Sequence, residues 1–366
     1  MHTLLENRLI QFAEALIDQK RAHVIVAPKE NSSGFWFGGG TMIAGDDGTI
    51  YVSGRYRNFG DSREGLSKGD RGLELAVFRS ADRGKTFQKI LSFSKEDLSY
   101  AAKVYSIEGS ALHRAENGKV ELYISTEKAI EYPEEVRKFL KPGTGVWSID
   151  RMAADRVENL SPSTLEPVLA SEDPVNLHVK DPFIHTDSDG NTRLYFCTHP
   201  FSWSSSNTGY AVKPRGSDSF GPMVHNIIPK GQTWDVSMAR GTSFLRLEDI
   251  GMFRNHPPIT LVFYDSAECL RNHEEHKSAI HRPRGYSCEE LGGCGYYETP
   301  DLTGFKRLSL LFPMFVSPQG TGCSRYVDVL ETEEGFYATW QQSQADYSQP
   351  LVLNFLSRQE AEELLG

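Results

Sequence analysis

The stretch HVKDPFI, residues 178–184, sets Lys180 beside Asp181 at the start of an apolar, alternating strand pattern. A strand gains nothing from adjacent opposite charges, and a charge taken out of water is costly unless paired or hydrogen-bonded. The same oddity recurs along the chain. Glu108 opens the strand pattern in SIEGSAL, Arg240 in MARGTSF, and Arg325 with Asp328 in SRYVDV. Arg55 and Arg57 lie two apart in a second strand, and Glu127, His199, Asp265 and Glu268 fall at the ends of others. Taken singly, each fits an ordinary ion pair. Repeated at strand starts, they fit one shared polar pocket. Carboxylates in such a pocket can serve as acid, base or nucleophile when their pKa values are pushed apart. Guanidinium forks suit carboxylate, sulfate or phosphate.

The elements that must position these residues repeat as well. Residues 38–58, 106–129, 178–200, 239–268 and 324–344 each read as strand, Gly/Asp/Asn/Glu-rich turn, more apolar strand. Further strand patterns follow most of them. Five such units, spaced by about 60–85 residues, predict an all-β, five-bladed β-propeller whose innermost strands run along a central channel. Residue types at those strand starts would then converge. AHVIVAPKE, residues 22–30, can add an outer strand to the last unit and close the ring. The alternative is two sheet-rich domains meeting near residues 173–177. Residues 1–22 read as a helix with Leu4, Leu5, Ile10, Phe12, Ala15, Leu16 and Ile17 on one face, suited to packing on the propeller or to pairing with a second copy. Residues 23–366 form the propeller domain. Ser357 and Glu360 have capping-box spacing for a C-terminal helix, and YPEEVRKFL, residues 132–140, offers a third helical segment.

This pattern, with KDPFI opening the third unit, resembles the five-bladed propeller glycoside hydrolases and phosphorylases: arabinanases, xylosidases, fructosidases and mannoside phosphorylases. The resemblance implies that Asp181 is the middle-blade Asp-Pro carboxylate that binds sugar hydroxyls and tunes an acid. It also implies that Glu268, in DSAECL, corresponds to the acid-bearing Glu-Cys of the fructosidase branch. Cleaving a glycosidic bond takes one protonated and one ionised carboxyl group, and Glu108, Asp181 and Glu268 are the candidates. The first unit departs from the pattern. It carries glycines, FGGGTM, where many of these enzymes place an Asp base or nucleophile. SADRGKTF, residues 80–87, resembles the sialidase Asp-box, which implies a structural hairpin held by Asp82 and Thr86 rather than a site.

The expected substrate is a small, anionic glycoside bound end-on, with Arg55, Arg57, Lys180, His199, Arg240, Asp265, Arg325 and Asp328 binding it. Phosphorolysis and non-catalytic sugar binding are the alternatives. Trp36, Trp147, Trp203, Tyr264 and Trp340 are available to stack on sugar faces or to fill the core. The loop from His199 to Ala211 has the donors for a sugar rim.

Composition bounds the rest. With 366 residues, 39% hydrophobic, the chain can bury a large core, and a net charge of −10 argues against a nucleic-acid partner. Five cysteines without Cys-x-x-Cys spacing fit reduced thiols in a cytoplasmic protein. His273, His276 and His281 read as solvated loop residues, so no metal or cofactor is expected. No stretch has the length and apolarity of a membrane span, and phosphate-loop and nucleophile-elbow motifs are absent.

Overall fold

A computed structural model describes residues 3–58, 70–187, 189–268 and 290–366. Five antiparallel sheets form a β-propeller. The first blade comprises β2 (Trp36–Gly38) and β3 (Met42–Ala44), both paired with β4 (Ile50–Asn58), then β5 (Asp70–Ser80) and β6 (Gln88–Ser94). The second is β7 (Val104–Arg114), β8 (Val120–Lys128), β9 (Val146–Ala154) and β10 (Glu166–Leu169). The third has three strands, β11 (His178–Thr186), β12 (Thr192–His199) and β13 (Asn207–Lys213). The fourth is β14 (Arg240–Leu247), β15 (Ile259–Ser266), β16 (Leu291–Tyr297) and β17 (Lys306–Arg307).

The last blade closes the ring. Its strands β18 (Ser324–Thr332), β19 (Gly335–Gln342) and β20 (Leu351–Ser357) are joined on the outside by β1 (His23–Val26), so the chain's beginning pairs with its end. That pairing covers an edge that β20 would otherwise leave open. Alternation along each strand buries apolar residues between neighbouring blades, as with Leu75, Val77, Leu122 and Ile124 between the first two.

Two helices brace the closing blade. In α1 (Leu4–Leu16), Thr3 and Glu6 form a reciprocal capping box, and Leu9, Phe12, Ala13 and Leu16 are fully buried. The ring of Phe12 meets Phe336 of β19 edge-on at 5.4 Å. The apolar face is thus covered within the chain, and Leu4 remains exposed. The α2 helix (Arg358–Leu365) starts at the Ser357–Glu360 capping box read from the sequence. Residues 134–139 form a short 3-10 turn rather than an α-helix. No helix among the described residues is long and apolar enough to cross a membrane.

One irregularity decides the site. Register shifts interrupt β7 between Ile107 and Ser110, β11 between Lys180 and Phe183, β14 between Gly241 and Ser243, and β18 between Arg325 and Asp328. In the first blade, residues 39–41 play the same part between β2 and β3. Every innermost strand is broken at the same level. A bulge suspends the in–out alternation and re-aims side chains, and here it does so five times around one axis.

Candidate active site

The bulges explain the Lys-Asp-Pro. Asp181 adopts φ +52°, a left-handed conformation that lets both it and Lys180 face the channel. The Asp181 N–H donates to Ser125 Oγ at 3.1 Å, and its carboxylate accepts the Gly109 N–H at 2.9 Å. Glu108 stands on the neighbouring bulge with Ser106 donating to it at 2.7 Å. Arg55 Nη2 lies 3.2 Å from Glu108 and 4.0 Å from Asp181, and Lys180 Nζ 3.9 and 3.7 Å from the same two carboxylates. Arg240 continues the chain of charges, 3.9 Å from Asp181, 3.6 Å from Asp265 and 2.8 Å from Glu290. Arg325 pairs with the same Glu290.

Tyr326 sits among the guanidinium groups. Its backbone, at φ +55°, is held by its N–H donating to both Asp265 oxygens at 3.1 and 2.9 Å. Arg55, Arg240 and Arg325 approach its ring at 5.2, 5.5 and 5.1 Å, and Arg55 Nη2 donates to its hydroxyl at 3.2 Å. The first-blade glycines now have a reason. A Cβ at Gly39 would overlap Arg55 Nη1, so the position where an acid was missed is occupied by a guanidinium reaching in from β4.

Above this layer opens a cavity of about 750 Å³. Arg55, Arg57, Arg71, Lys141, Lys180, Arg240 and Arg325 line it, with Glu108 and Glu290 as the lining acids among the described residues. Trp36, Tyr132, Phe139, Trp147, Phe201 and Trp203 form its apolar wall. Below, the axis narrows to a channel of about 20 Å³ walled by Gly39, Gly40, Asp181, Pro182 and Tyr326. That is space for roughly one water, so the cavity is closed at its floor.

Electrostatics follow from burial opposed by partners. Burial would raise Glu108 and Asp181, but Lys180 and Arg55 outweigh it and hold both below the usual carboxylate range. Glu290 is also pushed up by burial and brought far down by Arg240 and Arg325. Asp265 lies fully buried behind Arg240, and burial wins there, raising it to about 7. Glu127, 2.7 Å from Arg71, is raised to about 7 for the same reason.

The residues singled out in the sequence divide. Arg55, Arg57, Glu108, Lys180, Arg240 and Arg325 line the cavity, and Asp181 the channel mouth beneath it. Three others support from behind. Asp265 holds Arg240 and the Tyr326 backbone, and Asp328 accepts the Met42 N–H at 2.7 Å. His199 donates from Nδ1 to the Ser205 carbonyl, 3.0 Å away, and packs on Trp203 at 4.8 Å. Glu268 lies just past the end of β15 and is not among the residues lining the cavity. Its place beside two arginines is taken by Glu290, immediately before β16. Glu290 and Arg71 carry no signal in the sequence because they stand at the starts of third strands, and Tyr326 carries none because an aromatic in an inner strand reads as core. Trp36, Trp147 and Trp203 belong to the cavity wall, whereas Tyr264 and Trp340 are core. Residues 201–204 of the Ser-rich loop reach the rim. His273, His276, His281, Cys269 and Cys288 lie outside the described residues.

Around the β5–β6 turn, Thr86 Oγ1 donates to Asp82 at 2.6 Å, the Thr86 N–H at 2.9 Å, and Ser80 Oγ at 2.8 Å, with Gly84 at φ +79°. All of this is remote from the cavity.

A propeller with five bulged inner strands feeding one blind, charged pocket defines the architecture. No family model matches the chain, and no curated protein sequence does. Solved structures do. One described as a glycoside hydrolase aligns over 97% of this chain and 96% of its own, with a TM-score of 0.61 and 11% identity. The alpha-L-arabinofuranosidase from Lactobacillus brevis aligns over 90% and 91%, with TM-score 0.56 and 11% identity. The GH43_1 enzyme from Xanthomonas citri complexed with xylotriose aligns over 96% and 93%, with TM-score 0.53 and 13% identity. The chain shares their five-bladed β-propeller fold, end to end.

Proposed function

We propose that the protein is a glycosidase that cleaves a terminal residue from a small anionic glycoside. The observation that carries this reading is the junction of Glu108 and Asp181, two carboxylates tied to the same Arg55 and Lys180 at the floor of an aromatic-walled cavity. A blind pocket takes a chain end, and its aromatic wall suits sugar faces. The solved structures with this fold include glycoside hydrolases, one of them holding xylotriose, which supports the same class.

In the free pocket both carboxylates are ionised, whereas glycoside cleavage needs one of them protonated. An anionic substrate supplies the change. Its negative charge in the same cavity offsets the hold of Lys180 and Arg55 on Glu108, and burial, already pushing Glu108 upward, then prevails. Glu108 gives its proton to the leaving oxygen as the glycosidic bond breaks, while Asp181, still held by the Gly109 N–H, stays ionised and takes a proton from the water that bonds to the anomeric carbon. Glu290, set between Arg240 and Arg325, takes the third carboxylate role.

The ionised state of these three acids in the free pocket also favours a second reading, a propeller that binds sugar acids without chemistry. Turnover of aryl glycosides bearing neutral, furanose and acidic sugars, with and without phosphate, decides between them. We expect Glu108→Gln, Asp181→Asn and Glu290→Gln each to lower kcat/KM by about 10²–10⁴-fold with ligand still bound. Asn tolerates the left-handed backbone at 181, so that variant should fold. No cleavage by the wild type, or unchanged turnover in all three variants, overturns the glycosidase. Product that appears only with phosphate makes the enzyme a phosphorylase.

A further inference from the structure

Seven cations among the described residues line the cavity, the exposed Lys141 included, and the carboxylates among them do not use them all. Arg55, Arg240 and Arg325 have acid partners, and Arg71 has Glu127. Arg57 differs. It lies two residues beyond Arg55 on β4, on the same face of the strand, and is only 7% exposed. Its Nε has no hydrogen-bond partner, and no ion pair joins it to a carboxylate among the described residues. Burial lowers it to about 10, with Glu108 opposing and Arg71, Arg325 and Arg55 adding repulsion. A guanidinium at that value is still charged at neutral pH. A buried charge with no acid partner among the described residues, crowded by like charges, is a cost that a fold retains for a reason outside itself.

We propose that Arg57 anchors an oxyanion subsite in this cavity, which accepts a carboxylate or phosphate group as a planar or tetrahedral array of oxygens. A guanidinium presents a rigid fork that matches either geometry. The proposal rests on reading the cavity as a sugar pocket, and it names what that sugar brings: a charged group on the substrate itself, or a free phosphate entering beside it. Arg71 and Arg325 complete the positive field at the subsite.

Calorimetric titration of the full chain at low salt, with a hexuronate, its parent hexose and inorganic phosphate, tests this. The wild type should bind the hexuronate at least about ten-fold more tightly than the hexose, or bind phosphate with similar preference. Arg57→Gln should erase that preference, bringing the hexuronate affinity to that of the hexose. Hexuronate preference without phosphate binding assigns the charge to the substrate; the converse assigns it to free phosphate. Arg57→Lys keeps the charge, loses the fork and should fall between.

Thermal unfolding supplies a second readout. Arg57→Met removes an unpaired charge, so without ligand it should unfold no lower than the wild type, and anions should raise only the wild-type midpoint. Anion binding unchanged in Arg57→Gln and Arg57→Lys, or absent from the wild type, overturns the subsite. The two proposals fail separately. Arg57-dependent anion binding without glycoside cleavage removes the enzyme and keeps the subsite, and cleavage of acidic glycosides with Arg57-independent anion binding does the reverse.

Discussion

At the scale of single residues, the site works by opposing burial with charge. Asp265 and Glu127 mark where burial wins. Both are raised to about 7, Asp265 facing Arg240, Glu290 and Arg325, and Glu127 facing Arg71 and Glu108. Below that pH they are neutral, and Arg240 and Arg71 keep their charge for a ligand. Above it they ionise and neutralise those cations. Sulfate, which does not titrate in this range, should therefore bind about ten-fold more weakly at about pH 8 than at about pH 6. A flat calorimetric profile contradicts the assignment. Glu108, Lys180, Asp181, Arg240 and Arg325 were visible in the sequence because charge at a strand start is anomalous. Glu290 was not, because a Glu-Glu pair after a polar stretch is an ordinary surface pattern until Arg240 and Arg325 are brought to it.

At the scale of elements, the bulged inner strand is the working part. The bulge at 39–41 makes room for Arg55, so Gly39→Ala, at φ +72° and into the Arg55 guanidinium, should displace it. We expect turnover or sugar affinity to fall by about 10²-fold, since a small misplacement costs that much, with circular dichroism unchanged. The β5–β6 turn is a structural element instead. Hydrogen bonds from Thr86 and Ser80 lower Asp82 to about 2. A carboxylate lowered on folding contributes stability above its unfolded value, near 3.8, and loses it as pH falls through its folded one. Asp82→Ala should therefore lower the thermal midpoint at neutral pH, with the deficit fading toward about pH 2. The hairpins themselves could be read from turn residues and alternation. The bulges could not, because a bulge is a mismatch between two strands, and neither strand alone encodes it.

At the scale of the molecule, closure is made by both ends of the chain. β1 completes the sheet that β20 begins, and α1 and α2 seal its flank. Phe12 is fully buried against Phe336, so Phe12→Ala should cost about 3–5 kcal/mol. Chemical denaturation measures this, and a loss below about 1 kcal/mol would show that the helix is not integral to the ring.

Repeating strand–turn–strand patterns, both capping boxes and the charged strand starts belong to the sequence, because each depends on residues close in the chain. Which charges meet does not. Glu290 between Arg240 and Arg325, Arg55 in the space left by Gly39, and Arg57 crowded by Arg71 and Arg325 arise from elements apart in sequence converging on one axis, where Coulombic contacts are set by distance in space alone.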